Sequence, residues 1–130
     1  MKKILSLLVL FYFNPGFSQN TTVQEDNNIY NLAGINVKPQ FPGGIKNLNA
    51  LVNESYLKSG FAAEVKGKVY ALFIIEKDGS MSDVKILRGI DAVKARELIR
   101  ILENLPKWTP GKQNGKIVRV LYNLQMEIGN

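Results

Sequence analysis

The clearest pattern in the chain lies near its C-terminal end. From Ile117 to Met126, apolar and polar positions alternate. Val118, Val120, Tyr122, Leu124 and Met126 share one face; Arg119, Asn123 and Gln125 share the other with Ile117 and Leu121. A period of two marks a strand with one buried face. A different pattern precedes it. The seven positions from Val69 to Ile75 are all apolar, as in a strand buried on both faces at the centre of a sheet. Lys77-Asp78-Gly79-Ser80 follows, with Asp-Gly as the hairpin signal, and Asp83 to Arg88 is a short, mixed strand of the kind found at an edge.

Helical spacing occupies two other stretches. Ile45, Leu48, Leu51, Val52 and Tyr56 recur at intervals of three and four, with Gly60 placed as the C-cap. Just before them, Pro39, Pro42, Gly43 and Gly44 fix an extended segment and a turn, because proline locks φ and glycine permits positive φ. A second helix begins at an Asp91 N-cap. Its apolar stripe is Ala95, Leu98, Ile99, Leu102 and Leu105, its outer face Lys94, Glu97, Arg100 and Glu103, and Pro106 stops it. A central first strand, a hairpin neighbour and a third strand returning on the other side give the order 2-1-3. The expected fold is therefore α+β: a two-layer domain with a three-stranded antiparallel sheet and both helices on one face. The first strand's second face then needs a cover, which the Val37–Phe41 segment, a second subunit or a partner could supply.

The N-terminus has its own pattern. Lys2 and Lys3 precede an apolar run from Ile4 to Phe13, broken only by Ser6, and then come Asn14, Pro15, Gly16 and Ser18. A bilayer-spanning helix needs roughly 17–25 apolar residues, so residues 1–19 are expected to form a cleaved signal peptide that delivers the protein out of the cytoplasm. An uncleaved inner-membrane anchor is the alternative. Residues 20–36 are Asn-rich and without periodicity, and are expected to form a flexible leader; residues 37–130 are expected to form the domain.

Composition narrows the chemistry. There is no cysteine and no histidine, which removes disulfides, thiol nucleophiles, and the commonest general base and metal ligand. The acids Glu76, Asp78, Asp83 and Asp91 sit at strand ends, in a turn and at a cap, and no phosphate loop occurs. No catalytic, cofactor-binding or metal-binding residue is expected, and an enzyme is not. Lys and Arg number 17 against 11 Asp and Glu. Without Lys2 and Lys3 the balance is 15 against 11, a net charge of +4. That suits an acidic partner or an anionic lipid surface and falls short of a nucleic-acid footprint. The long third strand carries one charge, Arg119, and no proline, so its edge is open to an added strand. The expected partner-binding residues are Lys116, Ile117, Val118, Arg119, Val120, Leu121, Tyr122, Asn123, Leu124 and Gln125; Trp108 is expected to pack the loop under the helix end, with an aromatic anchor at the rim of the edge as its functional alternative. Covering of this edge by the leader or by a second copy of the chain, as a homodimer, is the competing expectation.

The order of motifs resembles a known family. Phe41-Pro42-Gly43-Gly44, Asp78-Gly79-Ser80, Leu105-Pro106-Lys107-Trp108, Pro110-Gly111-Lys112-Gln113-Asn114-Gly115-Lys116 and Val118 occur in the order and spacing of the TonB C-terminal domain. The resemblance covers about residues 39–128. Two departures stand out. Ser59-Gly60-Phe61-Ala62 replaces a Tyr-Pro step, and about 20 residues stand where an energy transducer has a proline-rich spacer. The resemblance implies capture of an extended receptor segment, the TonB box, by strand addition during outer-membrane transport. It implies a TonB-dependent outer-membrane receptor as partner, and inner-membrane motor proteins only if the chain is anchored.

Overall fold

A computed structural model describes residues 25–60 and 67–129. The signal-peptide expectation and the Phe61-Ala62 departure lie outside the described residues. Five strands and two helices follow in the order β1 (Ile29–Asn31), α1 (Gly44–Ser59), β2 (Gly67–Ile75), β3 (Met81–Arg88), α2 (Ala92–Glu103), β4 (Gly111–Gln113) and β5 (Lys116–Ile128).

The all-apolar strand β2 is central. It pairs antiparallel with β3 on one side and with β5 on the other, the latter in unbroken register from Gly67↔Ile128 to Ile75↔Val120. Val69, Ala71, Phe73 and Ile75 face the helices and are buried. β3 is irregular, with register shifts near Tyr70 and Leu72 and a positive φ of 50° at Asp83. Such bulges suit a strand at a sheet edge.

Both helices sit on one face. Leu48, Val52 and Tyr56 of α1 and Leu98, Ile101 and Leu102 of α2 join Leu124, Met126 and Ile128 of β5 in the main core. The caps follow the sequence: the Asp91 carboxylate accepts from the Lys94 backbone N–H at 3.0 Å, and Gly60 closes α1 at φ 90°. The stripe of α2 is rotated from expectation. Ile101 is buried while Ala95, Ile99 and Leu105 are half-buried, because α2 packs against α1 as well as the sheet. On the opposite sheet face, Tyr70 and Leu72 are half-buried, and the Arg88 guanidinium lies 4.3 Å from the Tyr70 ring centre. The sheet's own side chains thus shield part of this face.

The expected three-stranded antiparallel sheet is corrected in two respects. The sheet is five-stranded, because β4 folds back on β5 through the Asn114-Gly115 turn, with Gly111↔Val118 to Gln113↔Lys116 in register. It is also mixed, because β1 runs parallel to β5, with Ile29↔Arg119, Tyr30↔Val120 and Asn31↔Leu121 in register. β1 belongs to the stretch expected to be a featureless leader. Three residues are too short for a period of two to show, and their polar surroundings hide them. Tertiary contact supplies what local sequence does not: Tyr30 and Leu32 pack on a second apolar cluster of Ile35, Val118 and Val120.

Candidate protein-binding edge of strand β5

Two strands share β5. In a strand, the N–H and C=O of one residue point to the same side, and successive residues alternate. At the C-terminal end, the Asn53 side chain of α1 donates to the Glu127 carbonyl at 2.8 Å and accepts from the Gly129 N–H at 2.9 Å. These groups point away from β2. Odd-numbered positions of β5 therefore present their backbone groups outward, and even-numbered positions bond to β2 from Val120 to Ile128.

The outer edge divides into three parts. β1 covers Arg119 to Leu121, and Asn53 holds Glu127 and Gly129. Between them lie Asn123 and Gln125, both exposed, whose outward N–H and C=O groups have no partner among the described residues. The bonding groups left for a partner are thus fewer than the ten-residue span suggested.

The candidate residues separate accordingly. Val118, Val120 and Leu124 are buried at 1%, 0% and 4% exposure, and as even-numbered positions their backbone groups face β4 or β2, so they offer a partner neither side chain nor backbone. Lys116 and Ile117 are exposed and lie opposite Gln113 and Lys112 of β4. Leu121 and Tyr122 are half-buried, and burial pushes the Tyr122 hydroxyl pKa upward. Trp108 lies in the interior at 3% exposure, edge-on to Phe41 and packed on Phe73 and Tyr122 with centroid distances of 5.3, 5.9 and 4.8 Å. Its indole N–H has no partner among the described residues. Trp108 is therefore placed to support Tyr122 from beneath, and its own ring is not at the surface.

Trp108 is set by the hairpin turn. Its N–H donates to the Gly79 carbonyl at 2.8 Å. A Cβ on Gly79 would stand 2.1 Å from the Trp108 carbonyl oxygen, and φ is 88°. Only glycine permits this approach. The Asp78 carboxylate accepts from the Ser80 N–H and hydroxyl at 2.9 and 2.6 Å, and both bonds hold its pKa low.

Sequence reasoning missed the charged group at the start of the edge. Arg119 donates to both carboxylate oxygens of Glu76, at 2.8 and 3.1 Å, and to the Asn27 carbonyl at 3.1 Å. Ser82 donates to the same carboxylate. The Arg119 hydrogen bond holds Glu76 below its ordinary value, against burial, which acts the other way. The register Ile75↔Val120 implies that Glu76 and Arg119 are neighbours, so the pair was legible once the strand pairing was known. No cluster of metal-ligating side chains occurs among the described residues.

The comparison with known families agrees with this arrangement. The profile of the Gram-negative bacterial TonB protein C-terminal family matches residues 56–127, more than half of the chain. The chain belongs to the TonB C-terminal family. A search of curated proteins returned no match. The matched span runs from the end of α1 to the end of β5 and so holds the turn, Trp108 and the outer edge. Family membership assigns the chain a TonB-like role in TonB-dependent transport, and the family's domains are periplasmic or membrane-anchored. No helix among the described residues is long and apolar enough to cross a membrane.

Proposed function

We propose that the chain is a periplasmic protein-binding module that captures an extended segment of a TonB-dependent outer-membrane receptor by adding it as a strand to the outer edge of β5. One observation carries this reading: the backbone groups of Asn123 and Gln125 stand exposed and unpaired, while the same edge already holds a parallel strand at Arg119–Leu121. An unpaired ladder is what natural proteins usually blunt, and strand addition satisfies it, with backbone bonds giving affinity and alternate side chains selectivity. One added strand makes a small interface, which suits transient engagement.

The experiment is a pulldown of solubilised outer-membrane proteins by the purified chain, alongside an Asn123→Pro variant. Proline removes the outward N–H and leaves the β2 bonds of the neighbouring even positions intact, as edge strands tolerate. Val120→Pro would be uninformative, since that N–H serves β2. The wild type is expected to retain a receptor, and the folded variant to lose it about tenfold or more, the equivalent of about 1.4 kcal/mol. Equal capture by both would remove the edge as the binding site.

A further inference from the structure

The outer edge of β5 is not empty along its whole length, and its occupant is the chain itself. We infer that Ile29–Asn31 is a tethered pseudo-ligand: it holds the receptor-binding edge in the register an incoming strand would use, and a partner binds by displacing it. The inference rests on the edge being the binding site and adds the regulation of that site and the chemistry of its partner.

Four observations support it. First, β1 is parallel to β5 and bonds to it alone, without a strand on its other side among the described residues. Second, its hold is slight. Ile29 and Asn31 are exposed, and only Tyr30 is half-buried, against Val118 and Val120. Third, the residues before it are pinned by side chains at the surface. Asn27 offers its carbonyl to Arg119 at 3.1 Å and its amide oxygen to Lys77 at 3.5 Å, and the Tyr30 hydroxyl donates to Asp26 at 2.6 Å. Fourth, the chain is fixed again almost at once. Ile35 is buried, the Asn36 N–H donates to the Gln113 side chain at 2.9 Å, and Val37 and Lys112 exchange backbone bonds at 3.0 and 2.9 Å.

This is the construction of an intramolecular competitor. A weak strand anchored four residues from a fixed point acts at the high effective concentration of a short tether. It blocks casual pairing of the edge, yet yields to a longer strand that also takes Asn123 and Gln125. A ligand that must first displace it binds with an apparent affinity reduced by the fraction of molecules in which β1 is released. The occupant also specifies its replacement. The partner is an extended segment, parallel to β5, with an aromatic or branched apolar side chain over Val118 and Val120. A few residues earlier its main-chain carbonyl meets Arg119, and an amide or acidic side chain meets Lys77.

Two variants of the full chain test this. Tyr30→Pro should release β1 by removing the N–H and φ that the ladder needs. Asn31→Cys with Leu121→Cys, at partnered positions in a chain that has no other cysteine, should lock it, since neighbouring strands bring Cα atoms within disulfide range. The probe is a fluorescent synthetic peptide with the sequence of residues 25–33. It is expected to bind Tyr30→Pro at least about tenfold more tightly than the wild type, and to show no binding to the oxidised lock, with wild-type behaviour returning on reduction. Equal binding by wild type and Tyr30→Pro, binding by the oxidised lock, or no binding to any form would overturn the inference. The receptor pulldown separates the two ideas. Receptor capture that is indifferent to release and locking leaves the binding edge standing without its pseudo-ligand. Peptide exchange without receptor capture leaves the self-occupied edge and removes the receptor.

Discussion

Gly79 shows how one residue couples the hairpin turn to strand β5. Its positive φ closes the β2–β3 hairpin, and its missing Cβ lets the Trp108 carbonyl approach. Trp108 in turn supports Tyr122. Gly79→Ala therefore meets both a strained backbone and a hard contact with main-chain atoms. It is expected to destabilise the domain by about 3 kcal/mol or more. Urea denaturation followed by the fluorescence of Trp108, the sole tryptophan, measures this; a loss under about 1 kcal/mol would mean the turn relaxes freely. The sequence announced Gly79 as a turn residue. It did not announce the close approach, because the atoms that forbid a side chain are 29 positions away at Trp108.

The elements are joined where β2 ends and β1 begins. Glu76 closes β2, Arg119 lies on β5, and Asn27 leads into β1, so one guanidinium ties three strands. Because Glu76 ionises more readily in the folded chain than its ordinary value of 4.5, its contribution is complete above that value. It is lost as pH falls through the lower folded value. The wild type is then expected to exceed Glu76→Gln in stability at about pH 6, with the gap closing towards about pH 3. Denaturation curves of both proteins across that range decide it; a gap that widens on acidification would reverse the sign. At the other end of β5, Asn53 of α1 holds the last backbone groups. The exposed window at Asn123 and Gln125 is thus bounded by a strand on one side and a helix side chain on the other.

For the whole molecule, the decisive question is whether it moves freely or is tied to the inner membrane. A short apolar run after two lysines predicts cleavage, and a free module binds, adapts or competes without transmitting force. Intact mass of the protein from a periplasmic extract is expected to place the mature N-terminus near Gln19 or Asn20. A mass that includes Met1, found only in the membrane fraction, would establish the anchored energy transducer. A domain with an open ladder can pair with other copies of itself, and β1 covers part of that ladder at all concentrations because it is tethered.

Local sequence determined the strands β2, β3 and β5, the two helices and the order β3-β2-β5, because hydrophobic period, turn chemistry and caps are properties of neighbouring residues. The Asp91 cap, the Gly60 C-cap and the alternation along β5 stand as the sequence implied. Tertiary structure alone decided how much of the β5 edge remains free. β1 is too short to carry a period, β4 is a three-residue return, and the Asn53 clamp joins residues 74 and 76 positions apart. It also decided that Trp108 faces inward. An aromatic residue in a loop has the same sequence signature whether it faces a partner or the core, and only the ring contacts with Phe41, Phe73 and Tyr122 distinguish the two.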